Sequence, residues 1–166
     1  GFEAYIVGGC VRDFLLVQND PAFAKGYGVA RDWDVTTSAK PEEIQKVFPD
    51  SFYENNFLTV GVNTGMGIVE VTTYRLEAEY SDKRHPDKLQ FAKTLDEDLS
   101  RRDFTVNAMA MDMEKNVIDL FDGKIDLKNK IIRTVGDANE RFSEDALRML
   151  RAVRFATTLG FSAQGG

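Results

Sequence analysis

Asp32-Trp33-Asp34-Val35 sets two aspartates one residue apart in a short apolar run that reads as a strand over 32–37. Alternate strand residues point to one face, so Asp32 and Asp34 are expected to project together. Neighbouring carboxylates repel unless a cation sits between them, and hard divalent ions such as Mg²⁺ favour such oxygen donors. Upstream, the apolar run Tyr5-Ile6-Val7 leads into Gly8-Gly9, whose bare backbone N–H groups can approach a phosphate. Arg12, a helical turn further on, can neutralise the same phosphates. Together these features point to metal-assisted chemistry on a nucleoside triphosphate. Each also has a plainer reading: solvated acids at a strand end, and a simple strand-to-helix turn. Glu70, between Val69 and Val71, is the candidate third carboxylate, or else an outward acid on an amphipathic strand.

The 166 residues suffice for one sizeable domain, or a domain and a fragment, and 43% hydrophobic with 29% charged residues is an ordinary globular composition. No apolar stretch approaches membrane-spanning length, so no membrane association is expected. The lone Cys10 excludes an internal disulfide and a cysteine-rich zinc site, and fits a reducing compartment. With a single histidine, His85, a histidine metal cluster is excluded, which leaves carboxylates as the obvious chemical groups. A net charge of −6 argues against gripping nucleic acid by charge alone.

Val11–Val17 reads as a helix after the glycine turn, and residues 18–30 as a loop. Pro41-Glu42-Glu43 opens a helix to about Phe48. Thr59–Asn63 and Ile68–Tyr74 form a hairpin around 64–67. Residues 76–95 read as a polar loop with a short strand near Leu89–Phe91, and Leu95–Arg102 as a helix. Ser143 serves as the N-cap of a final helix whose apolar stripe is Ala146, Met149, Leu150 and Val153, ended by Gly160. Such a stripe is expected to pack on something further along a longer natural chain.

Two later clusters carry polar chemistry. Arg101-Arg102-Asp103 precedes an apolar segment in which Asn107 must find a partner, a ribose, a phosphate or a loop carbonyl. Asp145 and Arg148 are i, i+3 neighbours if one helix holds both, with Arg148 and Arg151 opposite the apolar stripe. They form either a solvated salt-bridged face or a base-reading pair. In the second case Asp145 accepts from an exocyclic amino group and Arg148 donates to the adjacent ring nitrogen. Cytosine and adenine present that edge, whereas uracil and guanine do not.

Five motifs follow in order: Gly8-Gly9-x-x-Arg12-Asp13; Arg31-Asp32-Trp33-Asp34-Val35-Thr36-Thr37-Ser38-Ala39; Val69-Glu70-Val71-Thr72-Thr73-Tyr74-Arg75; Glu97-Asp98-Leu99-Ser100-Arg101-Arg102-Asp103-Phe104-Thr105-Val106-Asn107-Ala108; and Glu144-Asp145-Ala146-Leu147-Arg148-Met149-Leu150-Arg151-Ala152-Val153-Arg154-Phe155. Over almost its whole length the chain resembles the bacterial-type (class II) tRNA nucleotidyltransferase and poly(A) polymerase family. The resemblance implies an α+β, polymerase-β-like nucleotidyltransferase head, a mixed sheet flanked by helices, over residues 1–137. Residues 138–166 would start a helical neck, with body and tail domains absent. It further implies that Asp32, Asp34 and Glu70 are the catalytic, metal-binding carboxylates for two Mg²⁺ ions. Gly8, Gly9 and Arg12 match the triphosphate motif, and Arg102, Asp103 and Asn107 the ribose and triphosphate contacts. Asp145 and Arg148 match the protein template for incoming CTP or ATP, and Arg151 and Arg154 belong to the same nucleotide-binding motif. The segment between Leu16 and Arg31 is longer than the family's usual one.

The expected activity is template-independent addition of C, C and A to tRNA 3′ ends, the 3′-hydroxyl attacking the α-phosphate of CTP or ATP and releasing pyrophosphate. Residues 76–90 match a loop that CC-only enzymes lack, consistent with A addition. Poly(A) polymerase, a partial CC- or A-adding enzyme, and an inactive RNA- or nucleotide-binding module are the alternatives. A cytoplasmic location is expected, with most tRNA contacts on the absent domains, and catalysis by this stretch alone is not expected.

Overall fold

A computed structural model describes residues 1–21, 23, 32–54, 58–76 and 90–164. Residues 22 and 24–30 of the expected loop over 18–30, and 77–89 of that over 76–95, including Leu89 of the short predicted strand, lie outside them.

The sheet has seven strands: β1 (Ala4–Val7), β2 (Asp34–Thr37), β3 (Ser51–Glu54), β4 (Thr59–Thr64), β5 (Gly67–Thr73), β6 (Met109–Met111) and β7 (Val117–Asp119), in the order β3-β4-β5-β2-β1-β6-β7. Only β2 and β5 run parallel. The sheet is thus mixed and the fold α+β, as expected. The predicted hairpin is β4–β5, and β3 was not foreseen. Past β5, what is seen of the strand expected near Phe91 is, among the described residues, a bridge between Arg75 and Phe91.

One face of the sheet is closed by α1 (Gly9–Asn19) and α2 (Pro41–Val47), which pack Val11 and Leu15 against Met109 and Met111, and Ile44 against Val60, Val62 and Val71. α1 extends two residues beyond its predicted end. α2 starts at a proline with Glu42 and Glu43 in its first turn, an arrangement that matches the helix dipole. On the opposite face α3 (Leu95–Ser100) covers only the β1–β6 end, where Leu95 and Leu99 meet Val7, Tyr74 and Ala110. The Thr94 hydroxyl accepts from the Glu97 N–H and the Glu97 carboxylate accepts from Thr94, a capping box that fixes this six-residue helix. It stops at Ser100, two residues short of the predicted end. Among the described residues no helix covers the β5–β4–β3 part of this face, where Glu70 and Phe52 are exposed.

The chain closes through α4 (Gly123–Asn129), β8 (Ile131–Ile132), α5 (Ala138–Glu144), α6 (Leu147–Leu159) and β9 (Ser162–Ala163). Two helices replace the single predicted C-terminal one. Asp137, not Ser143, is the N-cap, accepting from Asn139 and Glu140 N–H groups, and Ser143 lies inside α5. Asp145 is extended, and its carboxylate takes the Leu147 N–H, which breaks the helix and restarts it. The buried positions of α6 are Arg148, Ala152 and Phe155, while Met149, Leu150 and Val153 are about half exposed or more. The predicted apolar stripe thus faces away from the head. β9 pairs with β8, so the C-terminal helices fold back on the core.

Gly123 begins α4 with its Cα against the Thr105 carbonyl; a Cβ there would stand 2.4 Å from that oxygen. Backbone cannot swing aside as a side chain can. Gly123→Ala is therefore expected to lower stability by about 2 kcal/mol through overpacking, read as a fall in the denaturant midpoint with unchanged m-value; an unshifted midpoint would contradict this packing.

Candidate active site

The parallel pairing of β2 and β5 sets Asp34 directly beside Glu70, and β1 sets Val7 on the other side of Asp34. Directly paired residues share a face, so both carboxylates stand on one side of the sheet. They line a cleft of about 300 Å³ with Glu54, Thr59, Thr72, Arg75, Arg101 and Arg102. Asp32 precedes the strand, exposed, where β1 has already turned away at Gly8 and no partner continues the ladder. The strand thus begins two residues later than predicted, at Asp34, and Asp32 lies near enough to act on Asp34 electrostatically.

Burial raises the Asp34 carboxyl pKa above the usual carboxylate range, and the charges of Glu70 and Asp32 add to the rise, while Arg102 opposes it. Burial and neighbouring carboxylates both disfavour the charged form of Asp34. Among the described residues no group of three Asp, Glu, His or Cys side chains already forms a metal cage. The donor set is nevertheless all oxygen, with repulsion that Arg102 only partly relieves, and fits a hard divalent ion.

Arg102 faces this pair because of a residue that the site assignment missed. Asp98, fully buried on α3, accepts from Arg101 Nε and Nη2 at 3.0 and 2.8 Å and from Arg102 Nη2 at 3.5 Å. Thr36 Oγ1 and the Arg75 N–H also donate to it. Burial by itself would raise the Asp98 pKa, but the two arginines outweigh it and hold the carboxyl below the ordinary value. The signal was present: an acid between Leu95 and Leu99 on a short capped helix, three and four residues before two arginines. Arg102 Nε is buried without a hydrogen-bond partner, the only such side-chain atom among the described residues. A buried guanidinium N–H left open beside a cleft is suited to an anionic oxygen.

Gly8 is drawn to the same place. Its φ of +79° opens the turn into α1, and a Cβ there would lie 3.0 Å from Arg102 Nη1 and 3.7 Å from Asp34 Oδ2. Gly9 instead abuts the Arg12 guanidinium.

The remaining predicted residues form two other groups. Arg12 donates to Asn107 Oδ1 at 2.7 Å and to Asp13 at 2.8 Å; Asn107 in turn donates to Asp103, which accepts from Arg151 at 2.6 Å. Arg12, Arg151 and Arg154 all stack on the Phe155 ring, 4.9–5.4 Å from its centre. Asp103 thus pairs with the C-terminal helix, not with its neighbours Arg101 and Arg102. Arg148 is buried and donates to Glu144 at 2.6 Å and to the Arg141 carbonyl at 3.1 Å. The helix break at Asp145 means that Asp145 and Arg148 do not share one helical face, and Arg148 does not lie on an exposed one.

The sequence pattern of the family described as "Poly A polymerase head domain" matches residues 4–133. CCA-adding enzymes of Lactobacillus delbrueckii subsp. bulgaricus and Oceanobacillus iheyensis are 51% and 49% identical to it, over 99% of this chain and 39% of each relative. The chain therefore spans about two fifths of the length of these relatives. The Bacillus stearothermophilus CCA-adding enzyme in complex with CTP superposes with a TM-score of 0.83 at 42% identity, over 99% of this chain and 37% of that one. A tRNA nucleotidyltransferase complexed with a primer tRNA and an incoming ATP analog gives 0.75 at 34% identity, over 99% and 44%.

Asp98→Asn is expected to cost about 3 kcal/mol at neutral pH, because it leaves two guanidinium groups facing a neutral amide. The folded-state pKa of Asp98 is depressed, so its contribution is present above the unfolded value and is lost as pH falls through the folded one. The gap between wild type and variant should therefore begin to narrow below about pH 4 and continue to narrow as pH falls further. Urea titrations at pH 7 and pH 3 check this; a pH-independent gap would contradict the ion-pair assignment.

Proposed function

The chain belongs to the poly A polymerase head-domain family, and from that premise we propose that it is the polymerase-β-like catalytic head of a CCA-adding tRNA nucleotidyltransferase. The observation that carries the reading is the in-register pair Asp34 and Glu70, facing Arg102 across one cleft. In this reading Asp32, Asp34 and Glu70 hold two Mg²⁺ ions. Such ions, when bound, activate an attacking hydroxyl and stabilise a leaving pyrophosphate. The chain's own groups position the reactants. Asp34 and Glu70 lie where the tRNA 3′-hydroxyl meets the α-phosphate of CTP or ATP. Arg102 takes triphosphate oxygens, and Gly8 lets them approach without a side chain in the way. The Arg12–Asn107–Asp103–Arg151 chain, with Arg154 and Gly9, binds the ribose and triphosphate on the α1 side.

Residues 1–137 form the head and 138–166 the start of a helical neck, a division supported by the Asp137 cap. Asp145 and Arg148 read the base from the neck. Arg148 is held by Glu144, which fixes its guanidinium before a base arrives. The whole enzyme acts in the cytoplasm and grips tRNA mainly through further domains; no helix among the described residues is long and apolar enough to cross a membrane.

The test is incubation of the full-length protein with tRNA lacking CCA and with CTP and ATP. Ordered addition of two C and one A supports the reading; long runs of A on any RNA would instead indicate a poly(A) polymerase. Asp34→Asn should lower kcat at least about a thousandfold. The same change removes a carboxylate whose pKa is raised in the folded state by burial first and by Glu70 and Asp32 next, so at neutral pH Tm should hold or rise. An active variant, or one that fails by unfolding, would contradict the assignment. Arg148→Ala should raise misincorporation of UTP and GTP by about tenfold relative to CTP and ATP, on the scale of one lost base contact; unchanged selectivity would favour a purely structural Arg148.

A further inference from the structure

One side chain on the cleft face is used by neither the core nor the chemistry above. Strand register sets Phe52, Gly61, Glu70 and Asp34 in a single transverse row across β3, β4, β5 and β2. Opposed residues share a face, so the Phe52 ring stands on the same side as the two carboxylates. Its tip covers Gly61: a Cβ at that position would fall 2.3 Å from Phe52 Cζ. Gly61 is the reason the ring can lie down on the sheet. Yet the ring is not core, since Phe52 is 48% exposed, and so is Ile68 at 57%, two residues from Glu70 on the same face. At ~4.8 Å per strand, the covered glycine lies one strand from Glu70 and ~10 Å from Asp34.

Charge differs between the cleft and its β3 side. Arg75, Arg101 and Arg102 line the cleft and suit phosphates. Phe52 lies outside that lining, with Glu54 two residues on along the same strand face, a carboxylate that disfavours phosphate, and the ring offers an uncharged flat face. In a nucleic acid the uncharged flat faces are the bases. Resting on the function proposed above, we propose that Phe52, seated on Gly61, is a stacking platform for a base of the RNA strand whose 3′-hydroxyl is being extended. Stacking on an aromatic ring tolerates any base, which suits a strand whose last base changes with each addition. A ring that merely shields a strand glycine would act on stability alone.

The experiment compares Phe52→Leu, Phe52→Ala and Phe52→Tyr in the full-length protein, measuring KM for tRNA lacking CCA, KM for CTP, and Tm. Phe52→Leu and Phe52→Ala should raise the tRNA KM about tenfold, the scale of one lost base stack, with the CTP KM unchanged. Phe52→Tyr should keep the wild-type tRNA KM. Phe52→Leu keeps an apolar cover on Gly61, so it separates stacking from folding if the alanine variant loses Tm. An unchanged tRNA KM in Phe52→Leu, or an equal rise in both KM values, would overturn the platform. Absence of any nucleotide addition by the wild-type protein would instead overturn the function on which it rests.

Discussion

Much of this molecule is organised by one buried carboxylate. Asp98 lies on a six-residue helix and has no solvent exposure. It ties together Thr36 of β2, the backbone just after β5, and the paired arginines that follow α3. An ion buried so completely is tolerable only when its oxygens are fully engaged. Asp98 meets that condition by taking donors from three separate pieces of chain. The consequence for chemistry is that Arg102 cannot relax onto Asp34 alone. It is shared, and its Nε is left open beside the cleft.

The site is therefore assembled from opposing strains. Asp34, Glu70 and Asp32 repel one another, and Arg102 only partly relieves them. That residual repulsion costs stability in the free protein and becomes useful when cations and a triphosphate arrive. On the far side of α1 a second network joins the head to the C-terminal helices: three guanidinium groups converge on Phe155, itself edge-on to Phe104 at 5.8 Å. Head and helices share this aromatic contact, so a change in α6 reaches Arg12 and Asn107 through packed groups.

The strands and the cleft pair were legible because they depend on local signals. Tyr5-Ile6-Val7, the β4–β5 hairpin and the Pro41 helix follow from residue type and period. Glu70 was identified as an acid between two valines, and the structure places it beside Asp34. The errors share a different cause. The apolar stripe of α6 shows that a helix is amphipathic, but not which face the head will cover; Glu144 and the Arg141 carbonyl make burial of Arg148 possible, and neither can be weighed from spacing. The helix break at Asp145 depends on one side chain choosing the Leu147 N–H. Strand β2 begins at Asp34 rather than Asp32, where its neighbour β1 has turned at Gly8. Asp98 had a local signal, but its role exists only once three elements meet.

The central claim is that the Asp34 and Glu70 pair is a cation-dependent nucleotide site built against Arg102. Anomalous diffraction from crystals of the full-length protein grown with Mn²⁺ and a non-hydrolysable CTP analogue tests it most directly. Manganese peaks should be bound by Asp32, Asp34 and Glu70, with triphosphate oxygens on Arg102. Manganese bound elsewhere, or a triphosphate seated away from Arg102 and Gly8, would contradict it.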